Sequence, residues 1–186
     1  AVIDLRNVKA QVADRLKKSQ DAKLKATGDK LAFNSADVED DIYQVKNQAG
    51  QDPLNFPIRI NNRLANLLRM VTAGEGRPTN NLPALYDEYV KLLNVQTARK
   101  DKVFNTDLKA FNAELKRLGK TVMALQKPDG GWAQTKYLDS DALGTSAALY
   151  TLRKTGILKV SDPAYQKGVN YLLNTQFPDG SWYVRS

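Results

Sequence analysis

The chain has 186 residues, of which 42% are hydrophobic, and its formal net charge at pH 7 is +8. Because it contains neither cysteine nor histidine, disulfide frameworks, thiolate nucleophiles, Cys/His zinc sites and Ser-His-Asp triads are excluded. The hydrophobic fraction suffices for a packed core, and no apolar run approaches the length that spans a bilayer.

Taken in chain order, the predicted elements are helical. Apolar side chains recur every three or four residues from Leu5 to Leu16, which indicates an amphipathic helix. Gly28 and Asp29 fall near the end of this pattern, so the helix is expected to end there.

A second helix is predicted to begin at an N-cap formed by Asn34 or Ser35 and to end at Gly50. Acidic residues in its first turn are expected to complement the helix dipole. These acidic residues are Asp37, Glu39, Asp40 and Asp41. Its predicted buried edge consists of Val38, Ile42 and Val45.

The connector that follows is predicted to be non-helical because it contains two prolines four residues apart. Leu54 and Phe56 lie between the prolines and are expected to pack onto the other helices. A third helix is then predicted, and Gly74 is expected to end it. Its apolar residues are Ile58, Ile60, Leu64, Leu67, Leu68 and Val71.

A long fourth helix is predicted from Leu85 to Leu118, ending at Gly119. Four amphipathic helices with short connections favour an antiparallel bundle over residues 1–119.

From residue 120 to residue 186 the predicted helices are shorter and turn residues are more frequent. One helix ends within "TVMALQ", and the next is followed by Gly156. A last helix is predicted with Asp162 as its cap and Pro163 at its first position. We therefore expect two domains, 1–119 and 120–186.

One motif occurs twice in this second region, fifty residues apart: "QKPDGGW" at 126–132 and "QFPDGSW" at 176–182. The residues shared by the two copies are Gln126 and Gln176, Asp129 and Asp179, Gly130 and Gly180, and Trp132 and Trp182. Asp-Gly forms a tight turn after a helix. The tryptophan is expected to fold back towards the glutamine, whose amide would bond free backbone groups at helix ends. This period predicts stacked helical hairpins, each tied to the next by one copy.

The stretch "KGVNYLLNTQFPDGSW" at 167–182 resembles the QW motif of the squalene-hopene cyclase and prenyltransferase superfamily, and "LQKPDGGW" is similar to its second half. The resemblance covers residues 120–186. It implies an α/α toroid of helical hairpins, of which this chain holds too few to close a ring. The expected fold is thus an all-α chain with an antiparallel bundle followed by an incomplete toroid-like segment.

The cyclases of this superfamily use an acid from an Asp-x-Asp-Asp run, and the nearest run here is 139–142, which lacks the last acid. Asp139 and Asp141 are the candidates for a catalytic acid. Their alternative role, which we favour, is to cap the following helix. The zinc ligands of prenyltransferases are missing, so no catalytic set, metal or cofactor is expected.

The stretch from residue 40 to residue 81, with "DPLNFPIRINNRLA" and the later "RPT", resembles the helical C-terminal region of bacterial BNR-repeat, sortilin-like proteins. This second resemblance covers residues 1–119 and implies a helical appendage of an absent β-propeller. Since such proteins are usually exported, it implies a periplasmic or extracellular location.

Two of three further acids could form the carboxylate pair of a glycosidase, which flanks a sugar bond. The three acids are Glu75, Asp87 and Glu88, and solvated surface is the favoured interpretation because acids are mostly exposed. The sequence thus predicts a non-catalytic scaffold or protein-interaction module within a larger protein or assembly. Its partners would be other protein chains that cover the apolar surface of the open hairpin stack. The alternatives are a fragment of a terpene-cyclase-like enzyme and a basic nucleic-acid-binding module. The latter is disfavoured because the lysines alternate with acids and no aromatics interleave with them.

Overall fold

The computed structural model describes residues 1–73 and 79–184, and in these residues the protein is all-α, as predicted. The helices are α1 (Val2–Lys17), α2 (Ala22–Ile42), α3 (Ile60–Thr72), α4 (Leu82–Val103), α5 (Lys109–Ala124), α6 (Ala142–Lys154) and α7 (Pro163–Thr175). A 3-10 turn (Asp52–Leu54) precedes α3, and a π-helical turn (Phe104–Leu108) joins α4 to α5. The chain divides into two compact units, Ala1–Asn112 and Ala113–Ser186.

The helices of the first unit pack antiparallel to their neighbours. Near the end of α2, Glu39 bonds Arg6 near the start of α1. Asn34 of α2 donates to Asp107 in the π-helical turn, and Arg99 of α4 reaches the end of α2. The predicted antiparallel bundle is therefore present. Its buried apolar residues are Leu5, Val12, Leu24, Leu31, Val38, Ile42, Ile60, Leu67, Leu82, Val103 and Phe111.

The break between the first two helices was predicted at the wrong place. The side chain of Asp21 accepts a hydrogen bond from the backbone N–H of Leu24 (2.8 Å) and caps α2 there. Gly28 lies inside α2 instead of ending a helix, because it permits close packing. A Cβ atom at this position would lie 2.9 Å from Cδ1 of Leu16 and 3.1 Å from Cε2 of Phe111.

Asn34 and Ser35 are likewise interior residues of α2 and do not cap it. The run of acids at 37–41 consequently lies at the C-terminal end of this helix, where carboxylates are unfavourable to the helix dipole. Glu39 is buried, and each of its carboxylate oxygens is 2.5 Å from a cation, one in Arg6 and one in Lys9. These two bonds offset the unfavourable position.

The three aspartates of the run are also paired with arginines. Arg59 contacts Asp40 at 2.5 Å, and Arg99 donates to both Asp37 and Asp41. Because the arginines come from α4 and from the N-cap of α3, the acids link α2 to two other helices.

The end of α2 and the connector also differ from the prediction. The helix ends at Ile42 rather than Gly50, and Val45 is 46% exposed. Gln44 is buried instead, where its Nε2 donates to the carbonyl of Pro57 (2.8 Å). Leu54 is 87% exposed, so its predicted packing was wrong.

In the third helix only part of the predicted apolar stripe is buried. Ile60 and Leu67 are buried, whereas Leu68 and Val71 are exposed and Ile58 precedes the helix. The predicted stop at Gly74 lies outside the described residues.

The predicted fourth helix consists of α4, the π-helical turn and α5, and it continues to Ala124 rather than ending at Gly119. Gly119 lies inside α5, where a Cβ atom would lie 1.9 Å from Cδ1 of Ile157. It therefore allows close packing within the second unit. The π-helical turn carries the buried Asp107, which pairs with Lys30 (3.3 Å).

In the second unit α6 and α7 form an antiparallel hairpin. The hydroxyl of Tyr171 late in α7 donates to the carbonyl of Ser140 just before α6 (2.6 Å). Pro163 begins α7 as predicted, and Gly156 follows α6 at φ +71°. Asp162 occupies the N-cap position, but its side chain accepts from the N–H of Lys159 (2.7 Å) and makes no capping bond to α7. The core of this unit is built from Trp132, Ala148, Leu149, Leu152 and Leu158, with Val122, Met123 and Leu172 packed against it.

Candidate functional site

The repeated motif forms the same structure twice, and we name the copies the first clasp (residues 126–132) and the second clasp (residues 176–182). Each follows the end of a helix, α5 or α7. In each, the glycine after the aspartate has a positive φ, +89° at Gly130 and +85° at Gly180. Their N–H groups donate to the carbonyls of Lys127 and Phe177, both at 2.9 Å.

The glutamine closes each turn in the same way. Nε2 of Gln126 donates to the carbonyl of Gly130, and Nε2 of Gln176 donates to that of Gly180, both at 2.8 Å. The side chain thus spans the loop and holds it against the helix end.

The tryptophan of each clasp folds back over the preceding helix. Nε1 of Trp132 donates to the carbonyl of Val122 near the end of α5, and Nε1 of Trp182 donates to that of Leu172 in α7, both at 2.8 Å. The two bonds span the same number of residues and satisfy carbonyls near helix ends.

The aspartate of each clasp accepts two bonds through Oδ1, but one donor differs. Asp129 accepts from the N–H of Gly131 (2.9 Å) and the hydroxyl of Ser140 (2.9 Å). Asp179 accepts from the hydroxyl of Ser181 (2.7 Å) and from its N–H (2.9 Å). These two bonds lower the pKa of Asp179, and the bond from the hydroxyl of Ser181 has the larger effect.

The first clasp is covered by the α6–α7 hairpin. Gln126 also donates to the carbonyl of Ala164 in α7 (2.8 Å), and the backbone N–H of Trp132 donates to Oγ1 of Thr145 in α6 (2.9 Å). Gly168 of α7 lies against the indole, since a Cβ atom there would be 2.9 Å from Cζ3 of the ring. The first clasp is therefore joined to the hairpin by two hydrogen bonds, which it donates, and by the contact between its indole and Gly168.

The second clasp has no such cover in the described part of the chain. Trp132 is 2% exposed, whereas Trp182 is 39% exposed and Gln176 is exposed as well. A Cβ atom at Gly180 would meet only Nε2 of Gln176, at 3.8 Å. Four exposed apolar residues lie in this clasp or close to it along the chain, and we name them together the open face. They are Leu173, Phe177, Trp182 and Tyr183.

Asp141, a candidate catalytic acid, is the N-cap of α6. Its carboxylate accepts from the N–H of Gly144 (2.7 Å) and from Nε2 of Gln134 (2.7 Å), and it is buried. Both oxygens are thus engaged in holding the start of the helix, which is the capping role that the sequence favours.

Asp139, the other candidate acid, is exposed beside a cavity of about 240 Å³ that Asp141, Tyr171 and Tyr183 also line. The pKa of Tyr171 is raised, mainly by burial and also by the neighbouring aspartates. Its hydroxyl donates to the carbonyl of Ser140.

The three acids that could form a glycosidase pair do not belong to either clasp. Asp87 and Glu88 are exposed on α4, and Glu75 lies outside the described residues. Within residues 1–73 and 79–184, no group of three or more acidic side chains is arranged to hold a metal ion. In the same residues no helix is both long and apolar enough to span a membrane.

Thr145 is a site residue that no sequence pattern singled out, whereas Gly168 belongs to the stretch 167–182 that resembles the QW motif, although its contact with Trp132 was not predicted. The only signal available was the small-residue composition of α6 and the glycine that precedes "VNYLL". Neither residue type indicates a contact with a distant tryptophan without the fold.

No protein-family model matches the chain, and neither a curated protein nor a solved structure does. The fold and the candidate site define an all-α protein in which one helix-end clasp is formed twice.

Proposed function

We propose that this chain is a non-catalytic helical scaffold that binds another protein chain at its second clasp. One observation supports this most directly. Two clasps with matching hydrogen bonds differ in burial, because a helical hairpin covers Trp132 and nothing described covers Trp182.

The composition of the open face supports the same proposal. Leu173 is 62% exposed, Phe177 50% and Tyr183 67%, and all three lie close to Trp182 along the chain. Exposed large apolar side chains that cluster in one segment are typical of interaction sites, and aromatic residues are enriched in protein interfaces. Binding a partner would remove this surface from water.

The enzyme alternative has less support. A general acid needs a carboxyl group that can reach a substrate, whereas both oxygens of Asp141 bond the start of α6 or Gln134. The nucleic-acid alternative rests on the net charge of +8. Several of those cations, including Arg6, Lys9 and Arg99, pair with acids of α2.

The two family resemblances extend the proposal. A QW-type hairpin stack and a helical appendage of an exported β-propeller protein are both consistent with a scaffold within a larger assembly. We accordingly propose a periplasmic or extracellular location.

The experiment is site-specific photo-crosslinking in the cells that produce the chain. A photoreactive phenylalanine analogue replaces Leu173 in the open face, and a matched control replaces the exposed Lys91 of α4. We expect one discrete protein adduct from position 173 and none from position 91. Adding Trp182→Asp should abolish the adduct.

Identical adduct patterns from the two positions would contradict the proposal. DNA titration at several salt concentrations tests the rival binding function. A steep loss of affinity with salt, the mark of phosphate contacts, would favour the nucleic-acid module.

A further inference from the structure

We infer that the occupant of the second clasp is a helical hairpin built like α6–α7 but with glycine in place of Ser140. This inference rests on the proposed function and names the occupant of the same site. Its basis is that the chain contains both an occupied and an open copy of one clasp.

The donors and acceptors of the second clasp define what the partner must offer. Gln126 donates to the carbonyl of Ala164 in the second helix of its hairpin, and Gln176 has the same local geometry with no second acceptor in the described residues. The N–H of Trp132 is satisfied by Thr145 four residues after the helix cap. A hairpin for the second clasp therefore needs a hydroxyl in the first turn of one helix and an accessible carbonyl in the next.

The indole adds a steric requirement. Gly168 is in close contact with the indole of Trp132, and a side chain at position 168 would overlap Cζ3 of the ring. The partner's second helix therefore needs a glycine where it crosses Trp182. The exposed Phe177 stands where the first clasp has Lys127, whose Nζ donates to the carbonyl of Leu138. The partner should present apolar surface rather than that carbonyl.

Ser181 distinguishes the partner from an identical copy of α6–α7. In the first clasp the equivalent residue is Gly131, and a Cβ atom there would lie 2.6 Å from Cβ of Ser140. Ser181 carries such a Cβ atom, so a hairpin with serine at the position of Ser140 would clash. The hydroxyl is also redundant, because Ser181 itself donates to Asp179 as Ser140 does to Asp129. Glycine at this position of the partner removes both serine contacts. The hydroxyl that accepts from the N–H of Trp182 must also lie slightly farther from Cβ of Ser181 than the 3.0 Å that separates Oγ1 of Thr145 from a Cβ atom at Gly131.

The test extends the chain by the hairpin that the geometry specifies. Residues 1–182 are followed directly by a second copy of residues 133–175, which keeps the fifty-residue period and carries Ser140→Gly in the added copy. The extended chain still contains two tryptophans. When 5-fluorotryptophan is incorporated, the chain gives two 19F resonances. The resonance that is missing from the Trp182→Phe variant belongs to Trp182.

We expect the Trp182 resonance to shift and its solvent-isotope effect to fall to that of the buried Trp132. Two matched controls retain the same length. Restoring Ser140 in the added copy should return Trp182 to solvent through the clash with Ser181. Thr145→Val in the added copy should weaken burial, since it removes the acceptor at nearly constant volume.

If the extended chain does not fold, a synthetic peptide of residues 133–175 with Ser140→Gly is titrated onto the intact labelled chain. Saturable burial of Trp182 supports the inference. A Trp182 that stays solvent-exposed with the added hairpin and with the peptide overturns it. So does burial of Trp182 by concentration-dependent self-association of the intact chain, which would make a second copy the occupant.

The two experiments can fail separately. A crosslinked partner from position 173 without hairpin-dependent burial would leave the scaffold function standing and remove the hairpin as its partner. Absence of a specific adduct would instead count against the scaffold function itself.

Discussion

Gly130 and Gly180 have nearly the same positive φ but different surroundings. A Cβ atom at Gly130 would lie 2.7 Å from the carbonyl oxygen of Lys167, whereas at Gly180 it would meet only the end of a flexible side chain. The pair therefore separates the cost of the backbone angle from the cost of contact with the covering hairpin.

Alanine at either glycine should cost about 1–2 kcal/mol for the left-handed backbone angle. At position 130 the clash with backbone should add about 1–3 kcal/mol. The check is urea unfolding followed by tryptophan fluorescence, since both tryptophans lie in the second unit. Equal losses for Gly130→Ala and Gly180→Ala would show that the first clasp is not covered as described.

Asp141 accepts one hydrogen bond from the start of α6 and one from Gln134. Asp141→Ala removes both bonds and should lower the free energy of unfolding by at least about 1 kcal/mol, the usual cost of losing an N-cap. Asp141→Asn, the matched control, keeps an oxygen that can accept from the N–H of Gly144 and loses only the bond from Gln134, so it should cost less. Chemical denaturation of the two variants provides the measurement, and equal losses would contradict the capping role.

At the scale of elements, α2 shows why helix boundaries were the least predictable feature. Its apolar pattern and Gly28 suggested a break, and the acids at 37–41 suggested a new helix start. Both signals are local, whereas the outcome depends on contacts that are distant in sequence. Gly28 is needed for close packing against Leu16 and Phe111, and the acids are paired by residues of α1, α3 and α4.

The buried end of α2 should make the first unit sensitive to acid. Burial alone would raise the pKa of Glu39, but bonds from Lys9 and Arg6 outweigh it and lower the pKa below its ordinary value. A lowered pKa in the folded state stabilises the protein above the unfolded value. This contribution is lost as the pH falls below about 4.3 and through the folded pKa.

Glu39→Gln should therefore lower the free energy of unfolding by about 1.5–3 kcal/mol at pH 7, the range for a hydrogen bond to a charged group. The difference from the unchanged chain should shrink as the pH falls from 5 towards 3. Thermal unfolding followed by circular dichroism at several pH values tests this. Asp14→Asn, which alters an exposed pair with Lys18, is the control and should have little effect. A constant difference across the pH range would contradict the ion pairs.

For the molecule as a whole, composition and periodicity were sufficient to predict an all-α chain and a repeated motif. The Asp-Gly turn of the clasp also followed from the residues, because it acts locally. The glutamine was expected to bond backbone groups at helix ends, whereas in both copies it bonds the glycine carbonyl of its own loop. What the sequence did not reveal was that the copies differ in cover. That depends on Thr145 and Gly168, which are far from Trp132 along the chain, and neither the composition of α6 nor the QW-like stretch that contains Gly168 indicates this contact.

The most direct test of the account is the solvent exchange of the two indole N–H groups in the intact chain, followed by 15N–1H NMR. Both groups donate to backbone carbonyls at 2.8 Å, so both resonances should show hydrogen bonding. Exchange should be roughly tenfold or more faster at the exposed Trp182, because local opening is easier where little apolar surface is buried. Equal protection of the two groups, without self-association, would contradict the claim that the second clasp is open.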